Sequence, residues 1–373
     1  MGGLRSMARA MTGNRFLPFF FWAAGMLRVG IVGIGFMGWI HWLAYQRASG
    51  IGVSCLCSRD PAKRSGDWRN IRGNFGPPGE QVDLTGIRAC SELSELLESA
   101  DLDCVDICLP PDQHVSAAVA AAEAGKHVFC EKPLALDAAG CDRILDACRQ
   151  NGVQLIVGQV LPYFPEYAWA REQISSGKYG KLLGGTFKRV ISNPDWIPDF
   201  YDPARVGGPL VDLHVHDAHL IRLLFGMPRG LFCRGRFRGE TVAYAHTVYD
   251  FADPQVVVSS VMGVTNQPGR PFTHGFEIHL EEATLQFEFA GFADQGESMP
   301  VKLIDRAGQV LRPPLAPFDP VDGFVAEIHE VRDAILGNRP SPLLSGALAR
   351  DAILLCQEQA RSARLNQYVQ VAP

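Results

Sequence analysis

Apolar residues follow two patterns along this chain, and the change falls near position 158. Before it, short runs apolar on both faces alternate with stretches of helical spacing, which predicts βαβ units around a parallel sheet. The predicted strands lie at 27–32, 51–56, 104–109, 126–130 and 153–157, with helices at 39–47, 115–124 and 138–149. Residues 66–86, rich in Gly and Pro, read as a long loop. Beyond 158 comes a helix at 166–176, then alternating segments at 243–251, 255–264, 276–279 and 284–289, and helices at 323–336 and 345–363. Alternation predicts a sheet with one face less buried than the other. The expected fold class is α/β: a doubly wound Rossmann domain over 26–157, then an α/β domain over 158–373 with a large open, mostly antiparallel or mixed sheet.

Composition narrows this little. The chain has 373 residues, 47% apolar and 20% charged, with a formal charge of −5. That balance gives no footprint for nucleic acid or an acidic membrane surface. Ten cysteines sit without a CxxC pair or zinc-ligand spacing. They read as reduced core thiols of a cytoplasmic protein, and no metal is expected. Residues 1–25 hold Arg5, Arg9 and Arg15 before the apolar run 16–24. The run resembles a signal peptide and is too short to span a membrane. An upstream extension before a true start at Met26 is the simpler expectation, with export as the alternative.

Gly33-Ile34-Gly35-Phe36-Met37-Gly38 follows the first strand and opens the first helix. In that context GxGxxG is a dinucleotide turn: the first glycine bends the chain, the second admits a pyrophosphate and the third lets helix and strand approach. An acidic residue about 20 positions further on would bond the ribose hydroxyls of NAD. Here Ser58 and Arg59 stand at the end of the second strand, with Asp60 after them. A hydroxyl followed by Arg suits a 2′-phosphate, so the reading leans to NADP over NAD. The alternative leaves Arg59 solvated and Asp60 as a helix cap.

Two further groupings are not explained by packing. Glu131-Lys132-Pro133 ends a buried strand at the carboxyl edge of the sheet. The segment 207–217 opens a helix that would place Asp212 and His216 on one face. With Leu109-Pro110-Pro111, His114 and the run 124–128, these motifs resemble the glucose-fructose oxidoreductase, inositol dehydrogenase and rhizopine catabolism (Gfo/Idh/MocA) family from Leu27 to the C-terminus. The resemblance implies a Rossmann domain followed by an open-sheet domain that joins homodimers or homotetramers. It implies Lys132, Asp212 and His216 as the catalytic group, with Leu109, Pro110, His114, Glu131 and Lys132 beside the cofactor.

Hydride transfer chemistry fits those residues on its own terms. Oxidising a secondary carbinol requires removal of the hydroxyl proton, for which His216 is the natural acid/base. Lys132 would bond the reacting oxygen, and Asp212 would orient or charge-balance the pair. The expected substrate is a sugar, polyol or related carbohydrate. Tyr163, Trp196, Arg189 and His219 are candidate substrate residues, with Asp195 and Asp199 on the same loop. Pro162 stands where family members often carry a charged residue, and His219 where many carry Asp. Two alternatives stay open: redox-neutral glycoside cleavage with held nicotinamide, and a cofactor-sensing regulator without catalysis.

Overall fold

Burial on both faces of the early apolar runs produces a parallel sheet. The computed structural model describes residues 25–372 apart from 196, 198, 316 and 318, so the expectations for Trp196 and for residues 1–24 lie outside the described residues. The first half runs β1 (Leu27–Val32), α1 (Phe36–Arg47), β2 (Ile51–Cys57), α2 (Pro61–Arg64), β3 (Arg88–Cys90), α3 (Leu93–Leu97), β4 (Cys104–Ile107), α4 (His114–Glu123), β5 (His127–Glu131), α5 (Ala138–Gln150) and β6 (Leu155–Gly158). Its strand order is β3-β2-β1-β4-β5-β6, all parallel. The order reverses between β1 and β4, which opens a crevice at the carboxyl ends of the strands.

The second half continues with α6 (Pro165–Ser175), β7 (Leu182–Ser192), α7 (Val215–Phe225), β8 (Gly230–Arg238), β9 (Thr241–Asp250), β10 (Val257–Thr265), β11 (Phe272–Leu280), β12 (Ala283–Gly291), β13 (Gly296–Asp305), β14 (Val310–Leu311), α8 (Pro320–Leu336), α9 (Gly346–Leu365) and β15 (Val369–Gln370). Its strands form one mixed sheet, ordered β14-β13-β12-β11-β7-β10-β9-β8-β15. Only β7 and β10 pair in parallel. Strands β7, β8 and β13 were not anticipated. Their glycines and charges, as in Leu-Leu-Gly-Gly-Thr-Phe-Lys-Arg, blur the alternation that marks a strand.

The C-terminal helices do not stay with the second sheet. Helix α8 packs on α1, and Val321, Phe324, Ile328 and Val331 share a core with Ile31, Trp39 and Ile40. Helix α9 packs on α7, β8 and α5. The two halves are thus tied by a return of the chain as well as by the link after β6. No helix among the described residues is long and apolar enough to cross a membrane. All ten cysteines are free and buried. Burial pushes the Cys55 and Cys57 thiols up to about 12, which leaves them unreactive.

The 66–86 stretch is an ordered cover. Asp67 and Gln81 form an isolated bridge, and Trp68 is fully buried. The Trp68 indole N–H donates to the Lys63 carbonyl at 2.8 Å, and its ring meets Trp39 and Trp42 edge-on at 5.9 and 5.2 Å. Gly73 lies so near the Phe36 ring that a Cβ there would come within 1.8 Å of it. Few apolar positions in this loop advertise the role; Trp68 carries most of it. Trp68→Ala is expected to cost about 3–5 kcal/mol, as for other buried Trp truncations. Urea unfolding would check this, with a loss under about 1 kcal/mol counting against the cover.

Candidate active site

The turn after β1 is built for close approach. Gly33 has φ +95°, and a Cβ on it would come within 2.7 Å of the Cys108 carbonyl oxygen. A Cβ on Gly38 would come within 2.3 Å of the Gly33 carbonyl oxygen, so the third glycine seats α1 against the turn. Gly35 differs: a Cβ there would meet nothing within 4 Å, because it faces open space. No side chain caps α1 at Gly35. The helix therefore offers uncapped N–H groups and the positive end of its dipole to that space, which suits a pyrophosphate. These are the features a dinucleotide needs, and the residues present fit it.

A cleft of about 850 Å³ runs from this turn across the sheet edge. Gly33, Gly35, Phe36, Met37, Ser58, Arg59, Leu109, Pro110 and Asp212 line it, as the motifs lead one to expect. Gly38 does not; its part is the packing just described. At the far end, Asp60 accepts the Ala62 N–H at 2.9 Å and so caps α2. Arg59 and Lys63 line the wall beside it. Lys63 escaped the sequence reading because α2 spans one turn and carries no periodic signal.

Lys132 leaves the carboxyl end of β5 and meets the second half of the chain. Its Nζ donates to the Asp212 carbonyl at 2.9 Å and to the Asp212 carboxylate at 3.1 Å. The local geometry differs from the expected α-helix. Leu210–His214 winds as a π-helix, and α7 starts only at Val215. A π turn holds one more residue than an α turn, so Asp212 and His216 are not simple i, i+4 partners. His216 is half-buried, and its Nδ1 has no hydrogen-bond partner among the described residues. Burial, then the charges of Lys132 and Arg189, hold its pKa well below the ordinary value. His216 is therefore neutral at pH 7.

Comparison with known proteins settles the family. The description "Oxidoreductase family, NAD-binding Rossmann fold" matches residues 27–159, and "GFO/IDH/MocA C-terminal domain" matches 167–286. This chain belongs to the Gfo/Idh/MocA oxidoreductase family. It is 27% identical to myo-inositol 2-dehydrogenase of Thermotoga maritima over 76% of this chain and 79% of that one. It is 30% identical to levoglucosan dehydrogenase of Pseudarthrobacter phenanthrenivorans over 70% of this chain and 74% of that one. Two further relatives are matched over 39% and 41% of their own length. A solved levoglucosan dehydrogenase in complex with NADH and levoglucosan shares the fold, with TM-score 0.74 and 23% identity over 93% of this chain and 100% of that one.

Within this Gfo/Idh/MocA chain the remaining candidates occupy different places. His114 is buried, with its ring nitrogens 2.8 Å from the carbonyls of Leu109 and Pro133. It ties the turn after β4 to the turn after β5 and does not itself line the cleft. Glu131 is also buried, with one oxygen accepting the Lys132 backbone N–H. Tyr163 packs with the α8 core, and its hydroxyl has no partner among the described residues. Arg189 is committed to Asp217 through two hydrogen bonds of 2.7 and 3.1 Å. Removing one partner of such a buried pair typically costs about 3–5 kcal/mol, so Arg189 is bound into the scaffold beneath His216. Arg205, which sequence reasoning missed, lines the cleft and pairs with Asp112 at 3.2 Å.

His219 is buried one turn along α7, and burial lowers its pKa to about 4. An unfolded chain would protonate it near 6.5. Between those values the unfolded state binds more protons, so stability is full above pH 6.5 and falls as pH drops toward 4. Thermal melts between pH 7 and 4.5 should show a shallower decline for His219→Gln than for the wild type. Parallel curves would contradict this burial effect.

Proposed function

We propose that this protein transfers a hydride between a nicotinamide dinucleotide and a secondary carbinol of a sugar or polyol. The observation that carries the reading is the junction of Lys132 with Asp212 at the end of the cleft, beside a neutral His216. Bound nicotinamide supplies the hydride acceptor or donor. The protein's own groups manage position and protons. Lys132 bonds the carbinol oxygen and stabilises the charge that develops there. His216, neutral because burial and Lys132 disfavour its charged form, accepts the hydroxyl proton during oxidation and returns it during reduction. Asp212 holds the ammonium in place through both its carbonyl and its carboxylate. The relatives named for inositol and levoglucosan support a cyclic polyol or anhydrosugar as substrate class.

For the cofactor we favour NADP. Asp60 is occupied as a cap, whereas Arg59 and Lys63 put positive charge on the same wall. A 2′-phosphate would meet two cations there. The second sheet exposes Phe232, Val248 and Val257, and we read this face as the surface that joins copies into a dimer or tetramer. Free, buried thiols suit a reducing, cytoplasmic setting.

Two measurements test the reading. A panel of inositols, sugars and anhydrosugars, followed at the reduced-nicotinamide absorbance, should reveal turnover that Lys132→Ala lowers by roughly 10²–10⁴-fold, with dinucleotide affinity kept. Unchanged turnover in that variant would refute the assignment. Arg59→Asp should shift the NADP-to-NAD ratio of kcat/KM toward NAD by about tenfold or more. An unmoved ratio would return Arg59 to the solvated surface.

A further inference from the structure

Behind Lys132 lies a group of ionisable side chains that the reaction above does not use. One Glu131 oxygen accepts the Lys132 backbone N–H at 3.0 Å, and the other lies 3.0 Å from His41 Nε2. Gly158 on the neighbouring strand makes room, since a Cβ there would come within 2.7 Å of that second oxygen. His41 Nδ1 lies 2.8 Å from Asp106, and the same Asp106 oxygen accepts from the Tyr45 hydroxyl at 3.0 Å. All of these groups come from the first half of the chain.

Glu327 does not. It projects from α8, which follows β14 of the second sheet, and it is fully buried. One of its oxygens lies within 4.8 Å of both a His41 ring nitrogen and a Glu131 oxygen. Neither Glu327 oxygen has a hydrogen-bond partner among the described residues. Gln159 and Tyr163 face it from the turn after β6.

An ionised carboxylate at that place, with the Gln159 backbone as its one nearby donor and no well-formed hydrogen bond, would carry a penalty of several kcal/mol. Burial, with Glu131 as the nearest like charge, instead pushes the Glu327 pKa well above the carboxyl range. His41 moves the other way from what burial favours: the Asp106 carboxylate overcomes desolvation and raises it well above its ordinary value. His41, with a carboxylate oxygen at each ring nitrogen, is thus pushed toward the imidazolium, and Glu327 on its open side toward the neutral acid. An apolar side chain of similar size would fill that volume without the desolvation penalty. The acid's hydrogen-bonding head therefore needs an explanation.

We propose that Glu327 is a positioning residue: its buried carboxyl, packed within 4.8 Å of His41 and Glu131, closes the open side of that pair and so keeps the Glu131 carboxylate, and through it the Lys132 backbone, where the ammonium points at Asp212. The proposal rests on the role given to Lys132 above. Reductive methylation of the full-length protein, quantified by peptide mass spectrometry, reports the exposure of Lys132 without any substrate. Lys126, tied to the carbonyls of Ser99 and Leu102 just before β5, is the internal standard.

In Glu327→Ala, Lys132 should label several-fold faster while Lys126 is unchanged. On any active polyol, kcat should fall about 100-fold, with the dinucleotide KM altered less than about threefold. Glu327→Gln, a neutral group of the same shape, should restore both readouts. If Glu327→Ala does not fold, Glu327→Asp, one methylene shorter, is read in the same way. Unchanged Lys132 labelling in a folded variant overturns the proposal, as does equal acceleration of Lys126. Were no polyol turned over by the wild type, the functional reading would fail while the labelling still decided this one.

Discussion

A single ammonium held by two oxygens of one aspartate joins the two halves of this protein. Lys132 belongs to the first sheet and Asp212 to the second domain, so their contact exists only when both halves are folded and correctly set against each other. Much of the surrounding structure keeps that contact in place. Glu131 pins the Lys132 backbone, Arg189 and Asp217 fix the base of α7, and α8 returns to the first core. Charge is buried here on both sides of the cleft, and each buried charge has an opposite partner. That pattern is costly in desolvation and is tolerated where geometry matters more than stability.

The electrostatic consequence is a division of labour between two histidines. His41, between carboxylates, is pushed toward the charged form, and His216, among cations, toward the neutral form. The same side chain is thus driven toward the imidazolium in one place and toward the neutral imidazole in the other. Environment alone separates them.

Much of the dinucleotide half was legible in the sequence, because each of its signals is local. A buried strand, a glycine turn and a helix follow one another within 27–47, and Lys132 follows its strand directly. The shape of the Asp212 segment was not legible. Nothing in Leu-Val-Asp-Leu-His marks a π turn, since the extra residue is accommodated by contacts with α9 and β10 that are distant in sequence. Lys63, Arg205 and Glu327 were missed for related reasons. Lys63 sits on a single-turn helix, Arg205 on a loop, and Glu327 looks like one more polar position on an amphipathic helix until α8 is seen to return to the first core. The family resemblance, drawn from a handful of residues, is upheld across both halves of the chain.

The cover over α1 has an optical side. Trp39, Trp42 and Trp68 form one cluster whose rings lie within 6 Å of their neighbours, and Trp39 is one residue beyond the third glycine of the turn. Excitation absorbed anywhere in that cluster is shared at such separations, and tryptophan emission overlaps the absorption band of reduced nicotinamide. The protein therefore carries its own donor beside the place where a reduced dinucleotide would act as acceptor. Occupancy of the cleft can be followed in the native chain by light, with no substrate present.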